Sequence, residues 1–424
     1  MNTIVKPSNI SGEISAISSK SAAHRLLIAS AFSNEKTKLL CETVSEDILA
    51  TADCLRSLGA EIKYENKVFE VHPKEKNKSG TLFCNESGTT LRLLLPIAAA
   101  IGGEWIFDMR GRLPERPLSP LKEELIAHGI SFEYLDTNKL KTCGKLTCGT
   151  YKISGEVSSQ FISGLLFALS LLDGKSTLEI TGKLESEPYV NMTLDTLTSF
   201  GANVKKNGNI FNICGSQLSS KGEYTVEGDW SNSAFPLCAA AISKTSVTLN
   251  NLSANTRQGD AQILEILEKF GANVEKSHDT VTVAGKSLSG IEIDAKDIPD
   301  LVPIIAVVAS LAKGTTIITG ASRLRIKESD RLQTTYEMLT NLGADIKILN
   351  DGFMINGKER LTGGIVLSHN DHRIAMCACV AALGCKDKVV IKNADAVKKS
   401  YPRFFEDMKK LGFNIEIINE GDEK

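Results

Sequence analysis

Two carboxylates lie among cations in the second half of the chain. Asp300 directly follows Ile298-Pro299, and Glu328 sits in the run IKESDR between Lys327 and Arg331. A carboxylate ringed by cations stays ionised and can accept a proton, whereas one shielded from water can hold a proton and donate it. The pair therefore suits general base and general acid work on a strongly anionic substrate. The plainer alternatives are a helix-start residue favoured by the dipole for Asp300 and an exposed ion-pair partner of Arg325 or Arg331 for Glu328.

Further cations recur beside short polar clusters that each precede a run of small and apolar residues. The clusters are SSKSAAHR (Ser18 to Arg25), NESGTTLR (Asn85 to Arg92), SSQ (Ser158 to Gln160), GDWSNS (Gly228 to Ser233), DIPD (Asp297 to Asp300) and NDHR (Asn370 to Arg373). They contribute Lys20, Arg25, Arg92 and Arg373, with Arg116, Lys327, Arg331 and Lys399 nearby. Each cluster reads as a helix start, where unpaired N–H groups and a partial positive charge attract anions. Any one of these cations alone would be an ordinary surface charge. Their recurrence at equivalent positions points to a cradle for a polyanion. Ser18, Ser19, Ser21, Ser158, Ser159, Ser231 and Ser233 are candidate N-caps, and in the doublets one hydroxyl remains for a ligand. Gly88 lets an anion approach the backbone closely, but ESGTT lacks the spacing of a nucleotide loop. His372 fits packing, and no His, Cys and carboxylate set has metal-ligand spacing, so no metal is expected.

The elements that carry these residues follow a six-fold repeat. Gly59, Gly129, Gly201, Gly271, Gly343 and Gly412 each follow an apolar or aromatic residue or histidine, and they are spaced 69 to 72 residues apart. A period that regular marks one supersecondary unit copied six times. Half a period away, segments such as LLFALSLL (Leu165 to Leu172), IIAVVASLA (Ile304 to Ala312) and IAMCACVAAL (Ile374 to Leu383) have no polar face and belong in an interior. In contrast, Gly259 to Gly271 and Asp330 to Gly343 alternate apolar and charged residues at helical spacing and end in a capping glycine, so they cover the outside. Strand-like stretches such as Ser176 to Gly182, Ser246 to Leu252, Thr315 to Gly320, Lys388 to Ala394 and Asp279 to Gly285 lie between the helices. Each unit reads strand, helix, strand, strand, then buried helix.

At 424 residues the chain exceeds one ordinary core, and six repeats divide into two similar domains of three. With 49 basic and 51 acidic residues the net charge is −2, which argues against nucleic-acid or membrane-surface partners and for a small molecule. The ten cysteines have neither CxxC pairing nor disulfide-scaffold density; Cys238, Cys377 and Cys379 read as reduced packing residues. MNTIVKPSNISGEIS resembles neither a secretory nor an organelle leader, and no apolar run nears the roughly 18 residues of a membrane span, so a cytoplasmic location is expected. The polar tail Asn419 to Lys424 is expected to fray.

In order along nearly the whole chain stand SKSAAHR, ESGTTLR, ERP, SSQ, SEPY, GDWSNS, DIPD, IKESDR, NDHR and KSYP. This ordered set resembles the 5-enolpyruvylshikimate-3-phosphate synthase family (3-phosphoshikimate 1-carboxyvinyltransferases). The resemblance implies an α/β (α+β) fold of two domains, each an inside-out barrel of three βαβαββ units with buried helices. Residues 19–226 would form the first domain, and residues 1–18 with 227–424 the second, with the active site in the cleft and closure on the phosphorylated acceptor. The implied reaction moves the enolpyruvyl group of phosphoenolpyruvate to the 5-hydroxyl of shikimate 3-phosphate through a tetrahedral intermediate that loses phosphate. It needs no cofactor, and a monomer is expected.

Carried over by position, the resemblance implies that Lys20, Ser21, Arg25, Ser158, Ser159, Gln160, Ser186, Tyr189, Asp300 and Lys327 contact shikimate 3-phosphate. Lys20, Gly88, Arg116, Gln160, Arg331, Arg373 and Lys399 would hold phosphoenolpyruvate, arginine being suited to forked contacts with carboxylate and phosphate. Asp300 would take the proton from the 5-hydroxyl. Glu328, with Lys20, would protonate the methylene carbon.

Two positions depart from the commoner family pattern. Glu86 stands where an asparagine is usual, and Arg323 stands where many members have an asparagine that contacts the acceptor. The nearest rival is the sister enzyme acting on UDP-N-acetylglucosamine; it starts its first helix with Lys-Asn and carries a cysteine in the loop matching Asp108 to Pro120. Here the pair is Lys20-Ser21 and the loop has no cysteine. A binding protein without turnover would lack a group needed only in the transition state, yet Lys20, Asp300 and Glu328 are all present.

Overall fold

The structure is a computed structural model that describes residues 1–418; the tail Asn419 to Lys424 lies outside the described residues. The chain forms two compact units, one of residues Ser18–Val226 and the other of Met1–Ile17 with the chain from Glu227 onward. Each has its own apolar core.

In the unit that begins at Ser18 the helices are α1 (Lys20–Ala31), α2 (Glu46–Ser57), α3 (Gly88–Ile101), α4 (Leu121–Ala127), α5 (Ser159–Ser170) and α6 (Glu187–Ser199). The other unit holds α7 (Trp230–Ser243), α8 (Ile263–Phe270), α9 (Val302–Ser310), α10 (Arg331–Asn341), α11 (His372–Ala381) and α12 (Phe404–Lys410). Odd-numbered helices are the apolar ones: α9 and α11 are buried at every residue. The even-numbered α2 exposes Glu46, Leu49, Asp53 and Arg56 along one stripe. The six repeating glycines all have positive φ, between +77° and +113°, and close the outer helices where a side chain would be strained.

Among the described residues, six four-stranded sheets accompany the helices, and all share one order. In one of them Ser79–Asn85 runs parallel to Gly103–Met109, which pairs antiparallel with Lys139–Gly144, itself antiparallel to Ser131–Tyr134. Each repeat thus contains four strands, as βαβαββ requires, where reading the residues alone finds three. The extra strand precedes the buried helix and lies at a sheet edge. Segments such as Glu223–Thr225 and Glu292–Asp294 are three residues long, too short to show alternation. Their pairing is parallel and comes from beyond the next helix, as when Glu292 meets Ile317. The first strand of the α1 repeat comes from Glu223–Thr225, parallel to Thr37–Leu40, so the first and last segments of this unit share a sheet.

Five buried helices begin at a side-chain cap: Ser19, Ser87, Ser158, Asp229 and Asp371 each accept from an N–H of the first turn. Each such cap is worth about 1 kcal/mol. Of the seven serines named as candidate caps, only Ser19 and Ser158 do this. Ser18 instead accepts from the Thr43 N–H, and Ser231 accepts from Arg373. The sixth buried helix, α9, is entered through the 3₁₀ turn Pro299–Leu301, which places Asp300 at its start.

Candidate active site

Within the Ser18–Val226 unit, the starts of α1, α3, α5 and α6 are tied together by their own polar side chains. Lys20 is ion-paired to Asp47 of α2, Nζ to Oδ2 2.7 Å. Arg25 is almost fully buried and donates Nε to Thr193 Oγ1 (2.8 Å), Nη1 to the Ser21 carbonyl (2.8 Å), and Nη2 to the Tyr189 carbonyl (2.9 Å) and Ser163 Oγ (3.5 Å). Burial pulls its guanidinium down to about 10, which leaves it charged at neutral pH. Two of these four bonds hold the backbone of Ser21 and Tyr189. At the start of α3, Arg92 donates to Gln160 Oε1 (3.1 Å) and the Pro117 carbonyl (3.2 Å), and Gln160 Nε2 donates to Thr89 Oγ1 (2.8 Å). Ser158 and Ser159 are buried at the start of α5, and Ser186 takes a left-handed conformation just before α6.

Gly88 lies in close contact with the Arg116 guanidinium. A Cβ there would lie 2.5 Å from Arg116 Nη1 and 2.8 Å from Cζ, so the guanidinium packs flat over the first residue of α3. Glu86 turns its carboxylate against Gly111, in the turn after Gly103–Met109.

In the other unit the starts of α9, α10 and α11 meet around one arginine. Arg331, 1% exposed, reaches Asp300 Oδ1 at 2.8 Å, Glu328 Oε2 at 2.7 Å and Asp371 Oδ2 at 2.8 Å. A second contact, Nη2 to Asp371 Oδ1 at 3.1 Å, makes the Asp371 pair a fork. Asp300 also meets Lys327 (3.3 Å) and Arg373 (3.7 Å). Arg373 donates to the Asp300 carbonyl (2.9 Å) and to Ser231 Oγ of α7 (2.6 Å). Lys399 is buried and donates to the Asn370 carbonyl at 2.6 Å. Glu328 is thus paired with Arg331, while Arg325 pairs with Asp330. Arg323 donates to the Lys296 carbonyl.

Burial alone would raise the Asp300 carboxyl, but Lys327, Arg373 and Arg331 together override it and hold the group well below the usual carboxylate range. The same contest ends the same way for Asp371, where burial is outweighed chiefly by Arg331. Burial lowers Lys327 despite its carboxylate neighbour, and Arg331 is raised because three carboxylates outweigh its desolvation. Lys327, Arg331 and Arg373 face Asp300, Glu328 and Asp371, so the cluster is electrically balanced in this state. An arriving polyanion upsets that balance, and a carboxylate that loses its cation to the ligand gains proton affinity.

Residues 4–408 match the sequence profile described as EPSP synthase (3-phosphoshikimate 1-carboxyvinyltransferase). The chain belongs to the EPSP synthase family. Curated EPSP synthase relatives named 3-phosphoshikimate 1-carboxyvinyltransferase include one from Clostridium novyi (strain NT), 42% identical over 97% of both chains. Another, from Clostridium beijerinckii, is 40% identical over 99% of this chain and all of its own. The solved EPSP synthase from Acinetobacter baumannii superposes with a TM-score of 0.82 at 26% identity, covering 99% of this chain and 100% of that one. The family's inside-out α/β architecture is the one described above.

Within this EPSP synthase fold, two carboxylates that support the named residues were not singled out from the sequence. Asp47 orders Lys20, and Asp371 orders Arg331. Asp371 belongs to NDHR, where a carboxylate directly before a buried helix was a usable signal. Asp47 is separated by 27 residues from its lysine, and nothing local marks it. Among the described residues, no helix is long and apolar enough to cross a membrane.

Proposed function

We propose that this chain catalyses enolpyruvyl transfer from phosphoenolpyruvate to the 5-hydroxyl of shikimate 3-phosphate, releasing phosphate, with the residues above in defined roles. The observation that carries the roles is the Asp300 cluster: a carboxylate at a helix start, held by three cations suited to phosphate and carboxylate. Lys20, Gly88, Arg116, Gln160, Arg331, Arg373 and Lys399 hold phosphoenolpyruvate. Lys20, Ser21, Arg25, Ser158, Ser159, Gln160, Ser186, Tyr189 and Lys327 hold the acceptor, and Arg25 also holds the backbone of Ser21 and Tyr189.

Phosphoenolpyruvate competes with Asp300 and Glu328 for Arg331 and Arg373. Released from part of this field, Asp300 becomes basic enough to take the 5-hydroxyl proton. Glu328, deprived of Arg331, gains a proton that it passes, with Lys20, to the methylene carbon; the adjacent carbon becomes electrophilic and is attacked by the acceptor oxygen. Collapse of the tetrahedral adduct returns a methyl proton to Glu328, re-forms the C=C bond and expels phosphate, which carries off the proton taken up by Asp300, into the cationic cradle. The ten cysteines are unpaired thiols, seven of them buried, which suits a reducing cytoplasm, and we extend the proposal to a cytoplasmic monomer.

The test is phosphate release from phosphoenolpyruvate by the purified protein with shikimate 3-phosphate or UDP-N-acetylglucosamine as acceptor. Release with shikimate 3-phosphate alone is expected. Release with the other acceptor, or with neither, overturns the assignment.

Gly88→Ala tests the close approach at α3. The atoms that must yield are the guanidinium of Arg116, the far end of a flexible side chain, so folding is retained while the guanidinium is displaced. The KM for phosphoenolpyruvate should rise about tenfold or more, the scale of one charged hydrogen bond. An unchanged KM would remove Arg116 from that substrate's site.

A further inference from the structure

A hydrogen-bond chain of buried side chains runs between two of the proposed substrate-binding helix starts. His24 Nδ1 lies 2.6 Å from Thr51 Oγ1, Thr51 Oγ1 lies 2.6 Å from Thr90 Oγ1, and Thr90 Oγ1 donates to Ser87 Oγ at 2.7 Å. His24, Thr51 and Thr90 are 0% exposed and Ser87 is 1% exposed. His24 lies one helical turn after Lys20, and Thr51 one turn after Asp47. The pairs Lys20–Asp47 and His24–Thr51 are therefore two successive rungs joining α1 to α2. Thr51 extends the ladder to α3 through Thr90, two residues from Gly88.

Proton counting gives the chain a direction. Each hydroxyl has one proton to donate. Ser87 Oγ accepts from the Thr90 N–H (3.3 Å) and from the Thr90 hydroxyl, so the Thr90 proton is spent on Ser87. Thr51 must then donate to Thr90, and its proton is spent too. His24 Nδ1 is left as the donor to Thr51. Its Nε2 has no hydrogen-bond partner, so a proton there would be a buried donor without an acceptor. Burial, and after it Lys20 and Arg25, hold His24 well below the usual histidine value, in keeping with a neutral ring.

We propose that Thr51 is a positioning residue for phosphoenolpyruvate, fixing the start of α3, and hence Gly88 and its neighbours, against the Lys20 end of α1 through a one-way chain from His24 to Ser87. The proposal rests on the function given above. A packing role alone does not require the chain to be directional or to end beside two ligand-facing helix starts. Buried networks of this kind specify one arrangement because a half-satisfied one is costly.

Thr51→Val keeps the shape of the side chain and removes the hydroxyl; Thr51→Ser keeps the hydroxyl. In the valine variant the KM for phosphoenolpyruvate should rise about 5- to 20-fold, while kcat and the KM for shikimate 3-phosphate stay within about threefold. The serine variant should restore the KM to within about twofold. In the wild type, two-bond ¹H–¹⁵N correlation should show His24 as the neutral Nδ1–H tautomer, and the valine variant should lose that uniform pattern. A valine variant with a lower Tm but an unchanged KM would reduce Thr51 to packing. An Nε2–H tautomer in the wild type would overturn the chain's direction. The tautomer readout does not need turnover, so a wild type inert toward both acceptors would overturn the proposed function without deciding this one.

Discussion

Asp300→Ala is expected to lower kcat by about 100-fold or more, the scale of a lost general base, while both substrates still bind. An apparent conflict in the structure makes this prediction sharp. Three cations hold the Asp300 carboxyl well below the ordinary range, and a carboxylate so stabilised is a poor base. The same cations are those proposed to bind phosphoenolpyruvate or, for Lys327, the acceptor. Substrate binding must therefore draw them from Asp300, and part of the substrate's binding energy goes into freeing the base.

Removing the carboxylate removes that competition. The KM for phosphoenolpyruvate in Asp300→Ala should accordingly stay level or fall as kcat falls, the signature of relieved ground-state strain. Steady-state and single-turnover kinetics would check both values. Near-normal kcat would end the general-base role, and a large rise in KM with unchanged kcat would recast Asp300 as a binding group only.

How far the site could be read in advance depended on the distance between interacting residues. Each buried helix start announces itself locally, because a polar cluster gives way abruptly to an all-apolar run; Lys20, Gly88, Ser158, Asp300 and Arg373 all lie where that signal places them. The outer helices were legible through their period and their closing glycines. The edge strand before each buried helix was not, because three residues such as Glu223–Thr225 carry no period and the pairing partner lies beyond a helix. Counter-charges were hidden for the same reason: Asp47 and Asp371 act on cations 27 and 40 residues away. The sequence also did not reveal that Arg25 would be consumed by Thr193, Ser163 and two carbonyls, since its partners come from three helices. Local chemistry predicts which residues face a ligand; only the fold shows which residues hold them in place.

That distinction is clearest at Arg331, where one side chain serves both purposes. Arg331→Met should destabilise its unit by about 3–5 kcal/mol at neutral pH, because it leaves buried carboxylates without their cation. Asp371, fully buried and forked to the guanidinium, carries most of that cost. Arg331→Lys should recover little, since one ammonium cannot fork to Asp371 while also reaching Asp300 and Glu328. The pH dependence separates this account from a simple loss of packing. In the wild type Asp371 has a lowered folded pKa, so its contribution is present above the unfolded value of about 3.9 and is lost as pH falls through the folded one. In Arg331→Met, burial without the cation raises that pKa, the folded state binds more protons than the unfolded one, and stability increases as pH falls from 7 toward 4. The gap between the two proteins should therefore narrow on acidification. Each unit contains one tryptophan, Trp105 or Trp230, both buried, so urea unfolding followed by fluorescence in a Trp105→Phe background reports on the Arg331 unit alone. A loss that is the same at pH 7 and pH 5 would mean that Arg331 supports its unit by packing and that the carboxylates around it do not depend on its charge.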